Sequence, residues 1–195
     1  MGSMTLHIKN ARFAAFPCWL EPWGDYFDIA PDRILTLVSS GPHGEYLELV
    51  FDDDRITTWS DSGCTIEPFD AQGSIVPGRL QSAPVPLYPP NVGPATRGLP
   101  PSDTRRAELL LHNHSQAALT LFLPSEAYTF GQGDRCLVVV EANTDGPVRV
   151  EIADDAICIR GWDGSQVQAL GDPEDSDKTD SSSPYEGKGL GDEDT

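Results

Sequence analysis

One ordered set of segments runs through this chain twice, which restricts the fold to something two copies of a single unit can build. Leu6-His7-Ile8-Lys9-Asn10 is matched by Leu109-Leu110-Leu111-His112-Asn113, and Trp19-Leu20-Glu21-Pro22 by Leu121-Phe122-Leu123-Pro124. Tyr26-Phe27-Asp28-Ile29 aligns with Ala127-Tyr128-Thr129-Phe130, and the Asp32-Arg33 pair with Asp134-Arg135. Ile34-Leu35-Thr36-Leu37-Val38 then matches Cys136-Leu137-Val138-Val139-Val140, and Leu47-Glu48-Leu49-Val50-Phe51 matches Val148-Arg149-Val150-Glu151-Ile152. Each copy closes on an acidic turn, Asp52-Asp53-Asp54 or Asp154-Asp155, followed by Ile56-Thr57-Thr58-Trp59 or Ile157-Cys158-Ile159-Arg160-Gly161-Trp162. The offset stays between 101 and 103 residues throughout, so the set reads as a tandem duplication.

Within each copy, apolar and polar residues alternate with period 2, β-branched and aromatic residues are frequent, and Gly, Pro or Asp turns recur every 8 to 12 positions. These are strand signals, and no window shows a helical stripe. The expected fold class is all-β: two tandem copies of a small antiparallel β-sandwich or barrel-like module, each of five or six strands. A unit of this size buries only about 60% of its unfolded surface, which favours packing of one copy on the other. The predicted organisation is a first module over 1–69, a linker over 70–106, a second module over 107–170 and a tail over 171–195. The linker carries Pro89-Pro90 and Pro100-Pro101, which disfavour central strands. The tail is acidic and too poor in apolar groups to offset the entropy of ordering, so disorder is expected there.

Charge narrows the function classes. Asp and Glu outnumber Lys and Arg by 31 to 13, for a net charge of −18. Such a chain repels phosphate backbones and anionic membranes, so neither direct nucleic-acid binding nor membrane binding is expected, whereas a basic protein is electrostatically favoured. No stretch reaches the apolar length of a membrane span, and the N-terminus lacks the pattern of a secretion signal. Met1-Gly2-Ser3-Met4 reads as a cloning remnant before a start at Met4, with cytoplasmic location as the default. Cys18, Cys64, Cys136 and Cys158 show no short metal or redox spacing and are read as four buried thiols.

No motif carries recognisable chemistry. The acidic turns contain oxygen donors suited to calcium, yet they recur where hairpins need Asp, so turn formation is the simpler reading. In the tail, Asp175, Asp177 and Glu186 resemble a calcium loop only in part, because Pro184 interrupts it and flanking helices are missing. His112 and His114 share a strand face, with His7 in the matching strand, and read as surface polar residues rather than metal ligands. There is no nucleophile elbow, and Gly131-Gln132-Gly133 lacks the following helix that would bind phosphate. Neither cofactor, metal nor catalytic residue is expected.

The tryptophans are the strongest binding candidates. Trp59 and Trp162 align across the copies and are expected in equivalent core positions, whereas Trp23 aligns with Ser125 and sits in a Pro-Trp-Gly turn. An unmatched Trp in a turn is a candidate anchor for a partner. The predicted partner site is therefore Trp23, with Glu21, Asp25 and Asp28 as an acidic rim. The run Leu20-Glu21-Pro22-Trp23-Gly24-Asp25-Tyr26, its following strand and the Asp32-Arg33 turn resemble small bacterial β proteins carrying an L-E-P-W-G motif. That resemblance implies bacterial origin and a single such β unit over the first copy, and it implies no activity. The expected function is non-catalytic binding of another, basic protein, as an immunity or inhibitor protein would do. A structural or accessory role in a larger bacterial assembly is one alternative; a metal- or carbohydrate-binding module or a cryptic enzyme is another. The sequence sets no oligomeric state.

Overall fold

The computed structural model describes residues 2–61, 63–76 and 105–171. Residues 77–104 of the linker expected over 70–106, and residues 172–195 of the tail expected over 171–195, lie outside these residues. The period-2 patterns become seven strands in each half. The first half has β1 (Gly2–Asn10), β2 (Phe16–Glu21), β3 (Asp25–Ile29), β4 (Ile34–Gly41), β5 (Tyr46–Phe51), β6 (Ile56–Ser60) and β7 (Thr65–Phe69). The second has β8 (Arg105–Asn113), β9 (Leu119–Phe122), β10 (Ala127–Phe130), β11 (Arg135–Ala142), β12 (Val148–Ile152), β13 (Ala156–Arg160) and β14 (Gln166–Leu170). Helices are absent among the described residues, so none is long and apolar enough to cross a membrane.

Neither half closes on itself. One sheet runs β10-β9-β13-β12-β1-β4-β7 and the other β14-β11-β8-β5-β6-β2-β3. Each half therefore gives three strands to one sheet and four to the other. Exchanging every strand with its counterpart turns one order into the other. The two seams obey the same rule in register: Leu6 faces Val148 through to Asn10 facing Ile152, and Leu109 faces Leu47 through to Asn113 facing Phe51. Both seams are parallel, as are β2·β6 and β9·β13, so the all-β expectation stands with mixed sheets in place of purely antiparallel ones. The physical reason is edge protection. A strand left at the margin of a small sheet presents unpaired N–H and C=O groups, and pairing β1 with β12 and β5 with β8 removes four such margins.

The inward residues of both sheets form one apolar cluster, in which Leu6, Ile8, Leu37, Leu47, Leu49, Leu109, Leu111, Val148, Val150, Ile157 and Ile159 are fully buried. Each such side chain stabilises the fold by about 1.5–3 kcal/mol. Two polar residues join them. Asn10 and Asn113, at the ends of β1 and β8, are wholly buried and bonded alike. Asn10 Nδ2 donates to Ala14 O and Ile29 O while Oδ1 accepts from Arg12 N; Asn113 Nδ2 donates to Ala117 O and Phe130 O while Oδ1 accepts from Ser115 N. Each Asn ties the loop after its own strand to the end of β3 or β10.

The pairings also correct the alignment. Trp19 faces Tyr26 and Phe122 faces Ala127, so Trp19 matches Phe122 rather than Leu121. Four residues separate Leu20 from its partner Asp25, but only two separate Leu123 from Glu126. The first half thus carries a two-residue insertion in the β2–β3 turn, and the matched offset steps there from 103 to 101. The Asp-Arg pairs fall out of register as a result: Arg33 O and Asp134 O are the equivalent acceptors for the N–H groups of Asn10 and Asn113. The module limits shift as well. Residues 70–76 fold back on β7, with Asp70 Oδ1 accepting from Gln72 N and Ser74 N, and β8 begins at Arg105 instead of 107.

Candidate binding surface

The strands of the first half expose their alternate residues on the outer face of the second sheet. Trp19 and Glu21 on β2, Tyr26 and Asp28 on β3, Thr57 and Trp59 on β6, and Tyr46 and Glu48 on β5 each sit next to a buried residue of their own strand. Trp59 is 41% exposed and sits across from Glu48 on one side and Glu21 on the other. Trp19 and Tyr26 stack at 5.1 Å with 22° between their planes, and the Arg55 guanidinium lies over Trp19. Aromatic rings and carboxylates on one sheet face suit recognition of a cationic surface, because both ring faces and carboxylates attract positive charge.

The predicted core pairing of Trp59 with Trp162 does not hold. The residue in the place of Trp59 is Arg160, facing Arg149 as Trp59 faces Glu48. Trp162 lies beyond β13, half-buried against the core, with Nε1 shielded from solvent and without a hydrogen-bond partner. Gly146 makes that packing possible, since a side chain there would collide with the Trp162 Cβ.

The predicted partner residues divide between two environments. Glu21 and Asp28 belong to the outer face just described. Trp23 does not project as an anchor: it packs half-buried against the core and, with Asp25, lines a pocket of about 290 Å³ beside β7. The reason is strand alternation. Asp25 shares the inward side of β3 with Phe27 and Ile29, whereas Tyr26 and Asp28 face outward.

Toward the β5·β8 seam the outer face becomes a titratable cluster that the sequence reading missed. His112 Nε2 is 3.2 Å from Glu48 Oε1 and accepts from Arg135 Nε at 3.3 Å. A bare Nε2 accepts from Arg135 and a protonated one donates to Glu48, so the imidazole's proton decides its partner. Burial raises the Glu48 carboxyl above its ordinary range and Asp61 adds to this, while Arg135 and His114 oppose it. Burial foremost, then Glu48, also raises the Tyr46 phenol. The strand alternation Tyr46-x-Glu48-x-Val50 held the signal for this cluster, but its partner strand lies in the other half of the chain.

The remaining candidates are structural. His7 lies on β1 in the opposite sheet from His112 on β8, with His114 directly after β8, so the three do not converge, and no group of three metal-binding side chains occurs among the described residues. In the acidic turns, Asp52 pairs with Arg55, Asp154 with Arg12, and Asp53 Oδ1 accepts from Gln116 N, so these carboxylates fasten loops. All four cysteines are free. Cys18 and Cys64 are buried as expected, but Cys136 and Cys158 are only half-buried. Burial pushes the Cys18 thiol up to about 12 against the lowering effect of its Thr58 contact, which keeps it protonated. No family model, curated protein or solved structure matches the chain.

Proposed function

We propose that this protein is a non-catalytic binder of a basic protein, acting as an immunity or inhibitor protein does, through the outer face of β2, β3, β5 and β6. The observation that carries this reading is the contrast between matched positions. Where the first half presents Glu48, Trp59 and Trp19, the second presents Arg149, Arg160 and Phe122 on the same strands. The inward residues of β2 and β5 and of their counterparts β9 and β12 are apolar, while β6 buries Thr58 where β13 buries Ile159, so the core is largely shared and most of the divergence lies on the surface. Two halves with one core and opposite outer charge are what selection for a ligand on one face produces. The acidic balance of the chain, −18, adds long-range attraction for a basic partner.

The test is selection of displayed peptides on the full chain, followed by calorimetric affinity measurement. Selected peptides should carry net positive charge. Trp59→Ala should weaken them by about 30-fold, the loss expected of an interface hot spot, while a variant with Arg149→Gln and Arg160→Gln should bind within about twofold of the parent. Neutral or acidic peptides, saccharide binding at the same face, or insensitivity to Trp59→Ala would overturn the reading.

A further inference from the structure

The two extra residues of the β2–β3 turn lengthen the loop that carries Trp23, and the loop walls a pocket for which the shorter turn of the second half provides no matching residues. Leu20, Trp23, Asp25, Ile66, Glu67 and Pro68 line it, between the hairpin and β7. Leu20 and Ile66 are buried core residues and Trp23 packs on the same core, so this part of the lining is apolar and fixed. Two carboxylates stand in the lining. Glu67 is exposed, whereas Asp25 Oδ1 is shut off from solvent and has no hydrogen-bond partner. A carboxylate oxygen in that state costs free energy until a donor reaches it.

An apolar wall, an indole and two carboxylates, one of them with an unpartnered oxygen, together describe a receptor for an alkyl chain that ends in a cation. At about 290 Å³ the pocket has room on the order of ten waters, enough for one long side chain and too little for a folded element. We propose that it takes a single alkylguanidinium or alkylammonium group: the cation is held by the charge of the Asp25 and Glu67 carboxylates, and its methylenes lie against Trp23, Leu20 and Ile66. Insofar as that group is a Lys or Arg side chain of the partner, the proposal rests on the basic-partner reading above. The alternative source of the same chemistry is a free small cation.

Titration of the full chain, followed by NMR of the tryptophan indole N–H signals, tests this with three probes. These are N-acetyl-arginine-N-methylamide as the side-chain mimic, agmatine as the free cation, and the neutral citrulline analogue of the first. Saturable movement of the Trp23 signal by the cationic probes, with the citrulline analogue at least about tenfold weaker, is expected. Tighter binding of the capped arginine supports a protein side chain as the source; tighter binding of agmatine removes the partner from the proposal and keeps the pocket. Asp25→Asn should weaken binding at least about tenfold, and Glu67→Gln, on an exposed residue that does not threaten folding, about threefold. Trp59→Ala should leave all three probes unaffected, so the pocket and the outer face can fail separately. Equal binding of the citrulline analogue, an unmoved Trp23 signal, or full affinity in Glu67→Gln together with Asp25→Asn overturns the proposal.

Discussion

Replacing Asn10 with Ala tests whether the two halves form one cooperative unit. The side chain is wholly buried and makes three hydrogen bonds, at 2.8 Å to Ala14 O, 2.7 Å to Ile29 O and 2.9 Å from Arg12 N. Each contributes about 1 kcal/mol net, and the bond to Ile29 O is buried, so stranding that carbonyl costs toward the upper end of about 1–3 kcal/mol. The expected total is about 3–4 kcal/mol. Asn113→Ala removes the same set in the second half, with one bond longer at 3.2 Å, and should cost about as much or slightly less. Because β1 pairs with β12 and β5 with β8, neither loss can stay in its own half. In urea, tryptophan fluorescence and far-ultraviolet circular dichroism should report one coincident transition for the parent and both variants, displaced by these amounts. Two separated transitions, or a cost below about 1 kcal/mol, would refute the reasoning.

Two further outcomes follow from the matched halves and the seam cluster. Ser39 is fully buried with its hydroxyl unpartnered, and the position facing Ala107 as Ser39 faces Met4 is Val140. Ser39→Ala should raise stability by about 1 kcal/mol and the melting temperature by roughly 2–4 °C, and a drop in a thermal melt would contradict this. The folded state favours the protonated Glu48 carboxyl, so both folded and unfolded forms are protonated well below the ordinary carboxylate range, where no penalty exists. The penalty develops as pH rises from the ordinary carboxylate range to the raised folded value and is complete above it. Glu48→Gln should therefore gain on the parent as pH rises toward neutrality, and denaturant midpoints showing an advantage that shrinks with pH would reverse the assignment.

Period-2 alternation made the all-β class and the inward residues legible, because burial on one face writes itself into each strand. Leu6, Ile8, Leu47, Leu49, Val148 and Val150 could be placed in the core from that pattern alone. The exchange of strands between halves was not legible. Leu6 facing Val148 is a pairing across most of the chain, and local alternation is the same whichever strand lies alongside. The alignment error at Trp59 has a specific origin. Matching tryptophan to tryptophan overrode the period, whereas aligning Leu47-x-Leu49-x-Phe51 on Val148-x-Val150-x-Ile152 and holding that offset places Trp59 against Arg160. For the predicted site, the insertion around Trp23 was visible as an unmatched residue. The direction of Asp25 was not, because it depends on where the alternation restarts after the turn.

The central claim is that the first half's outer face, and not the matching face of the second, receives a basic partner. Indole N–H signals of Trp19, Trp59 and Trp162 during titration with the selected basic peptide test it most directly, since two lie on the proposed face and the third packs against the core beyond β13. Saturable shifts at Trp19 and Trp59, abolished by raised salt and by Glu21→Gln with Glu48→Gln, with Trp162 unmoved, are the predicted result. Movement of Trp162 with Trp19 and Trp59 silent, or binding indifferent to salt and to both carboxylates, would contradict the account.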